Sequence, residues 1–97
     1  MIKMPKYALV ICRNHLNQFL CVQERTSKWW IVGGSVEPKE TFREAALRET
    51  REEAGIDITL KGILAIDTVN FTSHALRVIF YAESNHLSQK PKQVPDK

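Results

Sequence analysis

Short blocks of apolar residues, separated by polar or glycine-containing segments, run along most of the chain. Runs of roughly four to eight such residues, rich in β-branched members, are typical of strands. We predict strands over residues 7–12, 19–23, 29–32, 56–60, 63–69 and 75–82, the first two forming a hairpin across a polar turn. From Glu83 onward the sequence is polar and rich in proline and lysine. Residues 84–97 are therefore expected to form a flexible tail or the start of a further segment.

One segment has the signature of a helix rather than a strand. Residues 42–54 contain no proline or glycine, Thr41 is a favourable N-cap, and Glu44 three positions later completes a capping box. Gly55 is placed to end the helix in a left-handed conformation. Because strands precede and follow this helix, we predict a single α+β domain over residues 1–97.

The predicted helix carries three glutamates along or beside the face that should pack against the sheet. At about 100° per residue, one side collects Phe42, Ala45, Ala46, Glu49, Glu52 and Glu53. Two carboxylates about 4 Å apart repel by roughly 4 kcal/mol at an effective dielectric constant of about 20, and partial burial adds a desolvation penalty. A divalent cation removes both costs, and the spacing of the three glutamates lets their side chains converge. Oxygen ligands of this kind suit Mg²⁺ or Mn²⁺.

A second interpretation of the same helix is a solvated acidic face, with the glutamates exposed and paired with Arg48 and Arg51. Two features favour the metal interpretation. The acids share a face with the apolar residues of the helix. In addition, Gly33 and Gly34 lie just upstream, in a predicted turn where the backbone can approach a ligand closely.

Composition and charge narrow the class of protein. At 97 residues, 43% hydrophobic and 26% charged, the chain fits one globular domain. It has no run of basic and aromatic residues and no long apolar run, so we expect neither a nucleic-acid polymer nor a membrane as partner. No secretory segment opens the sequence, which favours a cytoplasmic protein. Cys12 and Cys21 are then expected to be reduced core thiols, with a disulfide across the first hairpin as the alternative.

The glycine pair and the helix together carry a longer motif. It consists of Gly34, Glu40, Arg48, Glu49, Glu52, Glu53, Gly55 and the apolar Ile56, at separations that resemble a complete Nudix box over residues 34–56. With roughly 5–7% usage per residue type, seven fixed positions coincide by chance on the order of once in 10⁸–10⁹ windows. The resemblance implies a Nudix fold, in which a mixed sheet lies between helices as an α/β/α sandwich. It also implies a Mg²⁺-dependent or Mn²⁺-dependent hydrolase that cleaves a diphosphate bond in a nucleoside diphosphate derivative or a modified nucleotide.

The resemblance further implies roles for the motif residues. Glu52 and Glu53 would be the main metal ligands, with Glu49 as a further ligand or as the base that activates water. The carbonyl of Gly34 would also reach a metal. Arg48 would hold a glutamate of the cluster in place through a charged hydrogen bond.

Three further residues complete the expected site. Glu40 would steady the loop before the helix or contact a metal through water. Arg25, at the predicted end of the second strand, is expected to contact phosphate, with a surface charge as the alternative. Trp29 would stack on a base or close the core, and of Trp29 and its neighbour Trp30 one should be partly exposed.

The chain departs from the family pattern in three places. Thr50 stands where the family usually has an aliphatic residue, and Val32 replaces a frequent proline, although neither change touches a ligand. The family usually continues with another strand and a final helix, and in many relatives the connecting loop supplies an extra acid. Asp96 is the acid that could take this role. Loss of that strand and helix would expose apolar surface, so low stability or a homodimer is a reasonable hypothesis.

Two hypotheses on function follow from these residues. The first is a hydrolase acting on a small nucleotide-like molecule. The second is a Nudix-fold module that binds or senses a nucleotide without cleaving it. The intact acids favour the first, and the expected absence of the final strand and helix favours the second.

Overall fold

A computed structural model of the chain describes residues 4–70 and 74–85. Its elements are β1 (Lys6–Arg13), β2 (Val22–Gln23), β3 (Trp29–Trp30), β4 (Val32–Ser35), α1 (Phe42–Ala54), β5 (Thr59–Asn70) and β6 (His74–Glu83). Within this described part, no helix has both the length and the apolar character that a membrane crossing requires. Most of the predicted tail, residues 86–97, lies outside the described residues, and Ser84 and Asn85 belong to no element.

Four strands form a mixed sheet in the order β4-β1-β6-β5. Strand β1 pairs parallel with β6 and antiparallel with β4, and β5 pairs antiparallel with β6. The central position of β1 agrees with its unbroken apolar sequence, because a strand with neighbours on both sides and a helix above it buries most of its side chains. Strands β2 and β3 form a separate two-stranded sheet. The prediction of an α+β domain with a mixed sheet is confirmed.

The core lies between α1 and one face of this sheet. Its buried members are mostly small or β-branched: Ala8, Val10, Cys12, Val22, Val32, Ala45, Ala46, Ala54, Ile56, Val78, Phe80 and Ala82. Alanines on the helix let its backbone approach β1 and β4 closely. The described residues contain this one helical layer, so the second layer of the expected sandwich is not among them.

Both ends of α1 match their predicted chemistry. The Thr41 hydroxyl accepts a hydrogen bond from the Glu44 amide at 3.0 Å, and the Glu44 carboxylate accepts one from the Thr41 amide at 2.9 Å. At the other end, Gly55 has a left-handed conformation (φ 70°) and donates its N–H to the Arg51 carbonyl. Local side chains therefore mark both the first and the last turn of the helix.

The strands differ from prediction in three places. The second strand is only Val22–Gln23; before it, Phe19 makes an isolated bridge to Arg13 and the Leu20 amide donates to the Cys12 carbonyl. The predicted strand over residues 29–32 is split between β3 and β4. The strands predicted on either side of Gly62 are one strand, β5. Its pairing with β6 shifts register between Leu60 and Gly62, so the irregular segment becomes a bulge instead of a break.

The two cysteines occupy different environments. Cys12 is 2% exposed and lies in the core, as predicted, whereas Cys21 is exposed, so the prediction that both are core thiols is wrong for Cys21. Both thiols are free. Burial, and secondarily the negative charge of Glu83, raises the pKa of Cys12 to about 11.

Alkylation of the native protein should distinguish the two thiols. Because the thiolate is the reactive form, Cys21 should react with iodoacetamide at mildly alkaline pH while Cys12 stays unmodified until the protein is denatured. Intact mass measurement should show one adduct in the native protein and two after denaturation. Two adducts at equal rates in the native state would contradict the placement of Cys12 in the core.

Candidate functional site

Two of the three candidate glutamates on α1 are buried. Glu49 is 2% exposed and Glu53 is 5% exposed, as their shared face with the alanines predicts. Glu52 lies beside that face, and its side chain is 47% exposed. At 100° per residue Glu52 lies about 120° around the helix from Ala46, beyond the edge of the buried face, whereas Thr50 lies only about 40° away and is fully buried. Two buried carboxylates and one at the rim therefore make up the acidic face.

Thr50 occupies the space of the expected aliphatic residue without an unsatisfied polar atom. Its hydroxyl donates to the Ala46 carbonyl at 2.8 Å, one turn earlier in the helix. The bond to the Ala46 carbonyl satisfies the buried hydroxyl, so the departure from the family pattern leaves no unpaired polar atom in the Thr50 side chain.

The two glycines of β4 lie directly against the buried carboxylates. A Cβ added to Gly34 would lie 2.8 Å from Oε2 of Glu49 and still nearer to Oε1. The Gly33 amide donates to Oε1 of Glu53 at 3.1 Å. The prediction of a turn here is wrong, because both glycines are in an extended strand that pairs with β1. Glycine is needed at position 34 because the Glu49 carboxylate comes so close, not because the backbone is left-handed.

Arg48 connects the helix to the segment before it. Its guanidinium donates two hydrogen bonds to Glu40, at 2.8 and 3.0 Å, in a bidentate arrangement. It also donates to Oε1 of Glu49 at 2.9 Å, to Oε2 of Glu52 at 3.3 Å and to the Ser35 carbonyl at 3.0 Å. These bonds, chiefly the one to Glu40, raise the pKa of Arg48 further above its ordinary value, so it stays charged. The contact between Arg48 and a cluster glutamate has the geometry that the resemblance implies.

Glu40 is bound from two sides. Besides the Arg48 guanidinium, it accepts a hydrogen bond from the Glu37 amide at 3.0 Å. Its partners, Arg48 first and the Glu37 amide second, lower the pKa of Glu40 to about 2. Glu40 therefore ties the loop before α1 to the helix, in agreement with a loop-steadying role.

The alternative of a solvated acidic helix is not what the structure shows. Glu49 and Glu53 are buried, and Arg51 bonds instead to Asp57 at 3.0 Å, with both side chains largely exposed. Four carboxylates contact Arg48 and outnumber its single positive charge: Glu37, Glu40, Glu49 and Glu52. The site thus retains negative charge that could attract a cation.

The acidic residues have the chemistry for a divalent ion but are not drawn together around one point. Across residues 4–70 and 74–85, no three acidic, histidine or cysteine side chains form a group that could hold a metal ion as they stand. The convergence of the three glutamates on one ion stays a prediction. Glu49 and Glu52 both accept from Nη1 of Arg48, whereas Glu53 accepts from the Gly33 amide on β4. The donors are nonetheless all oxygens, the type that Mg²⁺ and Mn²⁺ prefer.

The residues expected to contact substrate lie on the small sheet. Arg25 is in the turn between β2 and β3, two residues beyond the end of β2, and not at the end of the strand as predicted. Trp29 is 53% exposed and Trp30 58% exposed, so the interpretation of Trp29 as a core residue is wrong. Trp29 lies opposite Gln23 across the sheet. Asp96, the suggested additional acid, lies outside the described residues.

Two parts of the site were not predicted. The Ser35 carbonyl accepts from Arg48, and the Gly33 amide donates to Glu53. Both are backbone groups, so no side-chain type marks them in the sequence. The glycine pair was the one sequence signal. It indicated that another group approaches the backbone closely there, but not that this group is a glutamate of the helix.

Comparison with known proteins places this geometry in a family. A family model described as the NUDIX domain matches residues 3–96. The 8-oxo-dGTP diphosphatase of Proteus vulgaris is 33% identical over 88 residues, which cover 84% of this chain and 79% of that protein. The structure of the E. coli dihydroneopterin triphosphate pyrophosphohydrolase has a TM-score of 0.73 at 26% identity, over 87% of this chain and 70% of that one. A NUDIX-family hydrolase from Clostridium perfringens has the same fold, with a TM-score of 0.74 at 20% identity over 96% and 77% of the two chains.

Replacement of Gly34 by alanine should destabilise the protein. The new methyl group would overlap the buried Glu49 carboxylate, which cannot move away without losing its bond to Arg48. Overpacking of this kind costs roughly 1–3 kcal/mol in the free energy of unfolding. Urea denaturation of the metal-free protein would measure the loss.

Gly62→Ala is the matched control for Gly34→Ala. Nothing lies within 4 Å of a Cβ added at Gly62, so the same chemical change should leave stability equal or raise it by about 0.4–1 kcal/mol. Equal stabilities for Gly34→Ala and Gly62→Ala would show that the Glu49 carboxylate does not press on β4.

The bond between Glu40 and Arg48 should make stability depend on acidity. Because its pKa is lowered in the folded state, ionised Glu40 stabilises the fold at pH values above its ordinary 4.5, and this contribution is lost as the pH falls toward 2. The difference in unfolding free energy between wild type and Glu40→Gln should therefore shrink between about pH 6 and about pH 3. A difference that stays constant over that range would contradict the assignment.

Proposed function

Because this chain belongs to the NUDIX domain family, we propose that it is a pyrophosphohydrolase that uses Mg²⁺ or Mn²⁺ to cleave a diphosphate bond in a modified nucleotide or a nucleoside diphosphate derivative. The observation that carries the proposal is the burial of Glu49 and Glu53 on the helix face that packs against the sheet. Burying a carboxylate carries a desolvation penalty of roughly several kcal/mol. Arg48 donates a hydrogen bond to Glu49, and the Gly33 amide donates one to Glu53. Alanines pack the rest of this face, so packing alone does not account for two acids there.

The residues that would hold the cations are Glu49, Glu52, Glu53 and the Gly34 carbonyl. When bound there, a divalent ion neutralises phosphate oxygens and lowers the pKa of a bound water. The protein's own contribution is to position these groups. Arg48 orients Glu49 through a 2.9 Å hydrogen bond, and the bare backbone of Gly34 gives that carboxylate room. Glu52, at the rim, presents its carboxylate to solvent, where a phosphate-bound ion would arrive.

Contacts with the rest of the substrate are assigned to the small sheet. We place Arg25 against phosphate and Trp29 against the base. The exposure of Trp29 supports this placement, because a half-exposed indole offers a face on which a base can stack. The names of two similar proteins refer to 8-oxo-dGTP and dihydroneopterin triphosphate, which supports a small triphosphate as substrate.

The expected setting is the cytoplasm, with a free small molecule as partner instead of a nucleic-acid polymer or a membrane. Two free cysteines, one of them exposed, are in keeping with a reducing compartment.

The second candidate is a module of the same fold that binds a nucleotide without cleaving it. It is favoured by the absence of a group that could hold a metal ion among the described side chains. The two candidates make opposite predictions about turnover.

Turnover should depend on both a divalent ion and the glutamates. Wild-type protein incubated with 8-oxo-dGTP and other nucleoside phosphates should release phosphate products with Mg²⁺ or Mn²⁺ and none with excess EDTA. Glu53→Gln and Glu52→Gln should each lower kcat by about 100-fold or more, as expected when one preorganised electrostatic group is lost. Product release can be followed by ion-exchange chromatography.

Glu44→Gln is the matched control on the same helix. It removes one exposed negative charge but keeps the capping box, because glutamine can also accept the Thr41 amide. Its kcat should equal that of wild type. Nucleotide binding with no turnover in any metal would favour the binding module, and full activity in Glu53→Gln would overturn the assignment of that residue.

A further inference from the structure

The turn between β4 and α1 holds a lysine in a conformation that lysine rarely adopts. The Glu40 amide donates to the Glu37 carbonyl at 3.1 Å, which closes a four-residue turn with Pro38 second and Lys39 third. Lys39 has a φ of 67°, in the left-handed region that favours glycine or asparagine at this place in a turn. The backbone at Lys39 is therefore strained, and a glycine would adopt it without that cost.

The neighbouring contacts hold this turn in place. Arg48 donates to both carboxylate oxygens of Glu40, and its Nη1 lies 3.6 Å from Oε1 of Glu37. The Glu37 amide donates to Oε1 of Glu40 at 3.0 Å. Strained backbone persists where the surrounding groups over-determine it, and such positions cluster at ligand sites. Because Arg48 also binds Glu49, the turn is fixed relative to the acids of α1.

The Lys39 ammonium is available to a ligand. Lys39 is exposed, and within the described part of the chain it forms no ion pair. Its neighbours in the turn, Glu37 and Glu40, both approach Arg48 instead. The other two described non-glycine residues with positive φ lie in the turns before and after β2: Asn17 and Ser27. Lys39 is thus the strained residue that adjoins the acidic helix.

The order of the elements places Lys39 at one end of the proposed substrate path. Strand β4 runs from the small sheet, which carries Trp29, past Gly34 to the turn that carries Lys39. In the proposed function the base lies at Trp29, and the diphosphate that is cleaved lies at the acids beside Gly34. The phosphate chain of a nucleoside triphosphate then continues along β4 toward the turn, where its terminal phosphate is the group that an ammonium would meet.

We propose that Lys39 binds the terminal phosphate of a nucleoside triphosphate and so selects triphosphates over diphosphates, an inference that rests on the proposed function. The flexible four-carbon stem lets the ammonium reach beyond the turn. Its charge also offsets the excess of carboxylates around Arg48, which repels an anionic substrate. A glycine suits the backbone better but provides no cation. Lys39 touches no reacting bond, so it acts on binding and not on the chemical step.

Lys39→Gly separates backbone strain from binding. It should raise the midpoint of urea denaturation, because the strain is relieved, and it should raise the KM for 8-oxo-dGTP about tenfold with kcat unchanged. The KM for 8-oxo-dGDP, which lacks the terminal phosphate, should stay close to that of wild type. Lys39→Arg keeps the charge, so it should keep both wild-type KM values without the gain in stability.

Lys61→Asn is the matched control, because it removes one positive charge from β5, at the opposite edge of the sheet from β4. It should leave the KM for both nucleotides unchanged. The role of Lys39 is overturned if Lys39→Gly raises the two KM values equally or changes neither. If wild type with Mn²⁺ cleaves neither nucleotide, the hydrolase proposal fails on its own, and the same comparison of Lys39 variants is made with dissociation constants from calorimetric titration.

Discussion

The structure depends on a close contact between two buried carboxylates of α1 and the two glycines of β4, which have no side chains to obstruct them. Glu49 and Glu53 enter the space between α1 and β4, where Gly34 makes room for one and the Gly33 amide binds the other. A larger residue at position 34 would collide with the Glu49 carboxylate and push the helix away from the sheet. The glycines of β4 and the buried glutamates of α1 therefore depend on each other for space and for hydrogen bonding.

The groups around this contact hold it in one geometry. Arg48 binds Glu49 on the helix, Glu40 in the preceding loop and the Ser35 carbonyl at the end of β4. One guanidinium therefore fixes strand, loop and helix relative to each other, which a lysine could not do with its single ammonium group. The caps at Thr41 and Gly55 set where the helix begins and ends, and so they set which residues face β4. Positioning by rigid secondary structure is what a site for metal and phosphate needs, because small displacements of ligands are costly in rate.

Local chemistry explains which features the sequence could predict. The limits of α1 follow from Thr41, Glu44 and Gly55, whose effects act within one turn, and the structure has the helix where these residues place it. The position of Glu52 could not be inferred in the same way. Helical periodicity orders residues around an axis, but the width of the buried face depends on how the helix sits on the sheet, and here the buried face includes Thr50 and leaves Glu52 at the rim. The bulges of β5 were missed for a similar reason, since pairing with β6 decides whether an irregularity such as that at Gly62 interrupts a strand or only shifts its register.

We propose that the acids of α1 bind divalent ions beside a nucleotide phosphate. Calorimetric titration of the folded protein with Mn²⁺, with and without a non-hydrolysable nucleoside triphosphate, tests it most directly. We expect saturable uptake of Mn²⁺ that becomes tighter when nucleotide is present and that is lost in a folded Glu49→Gln variant. Absence of uptake by folded wild-type protein in both conditions would contradict it.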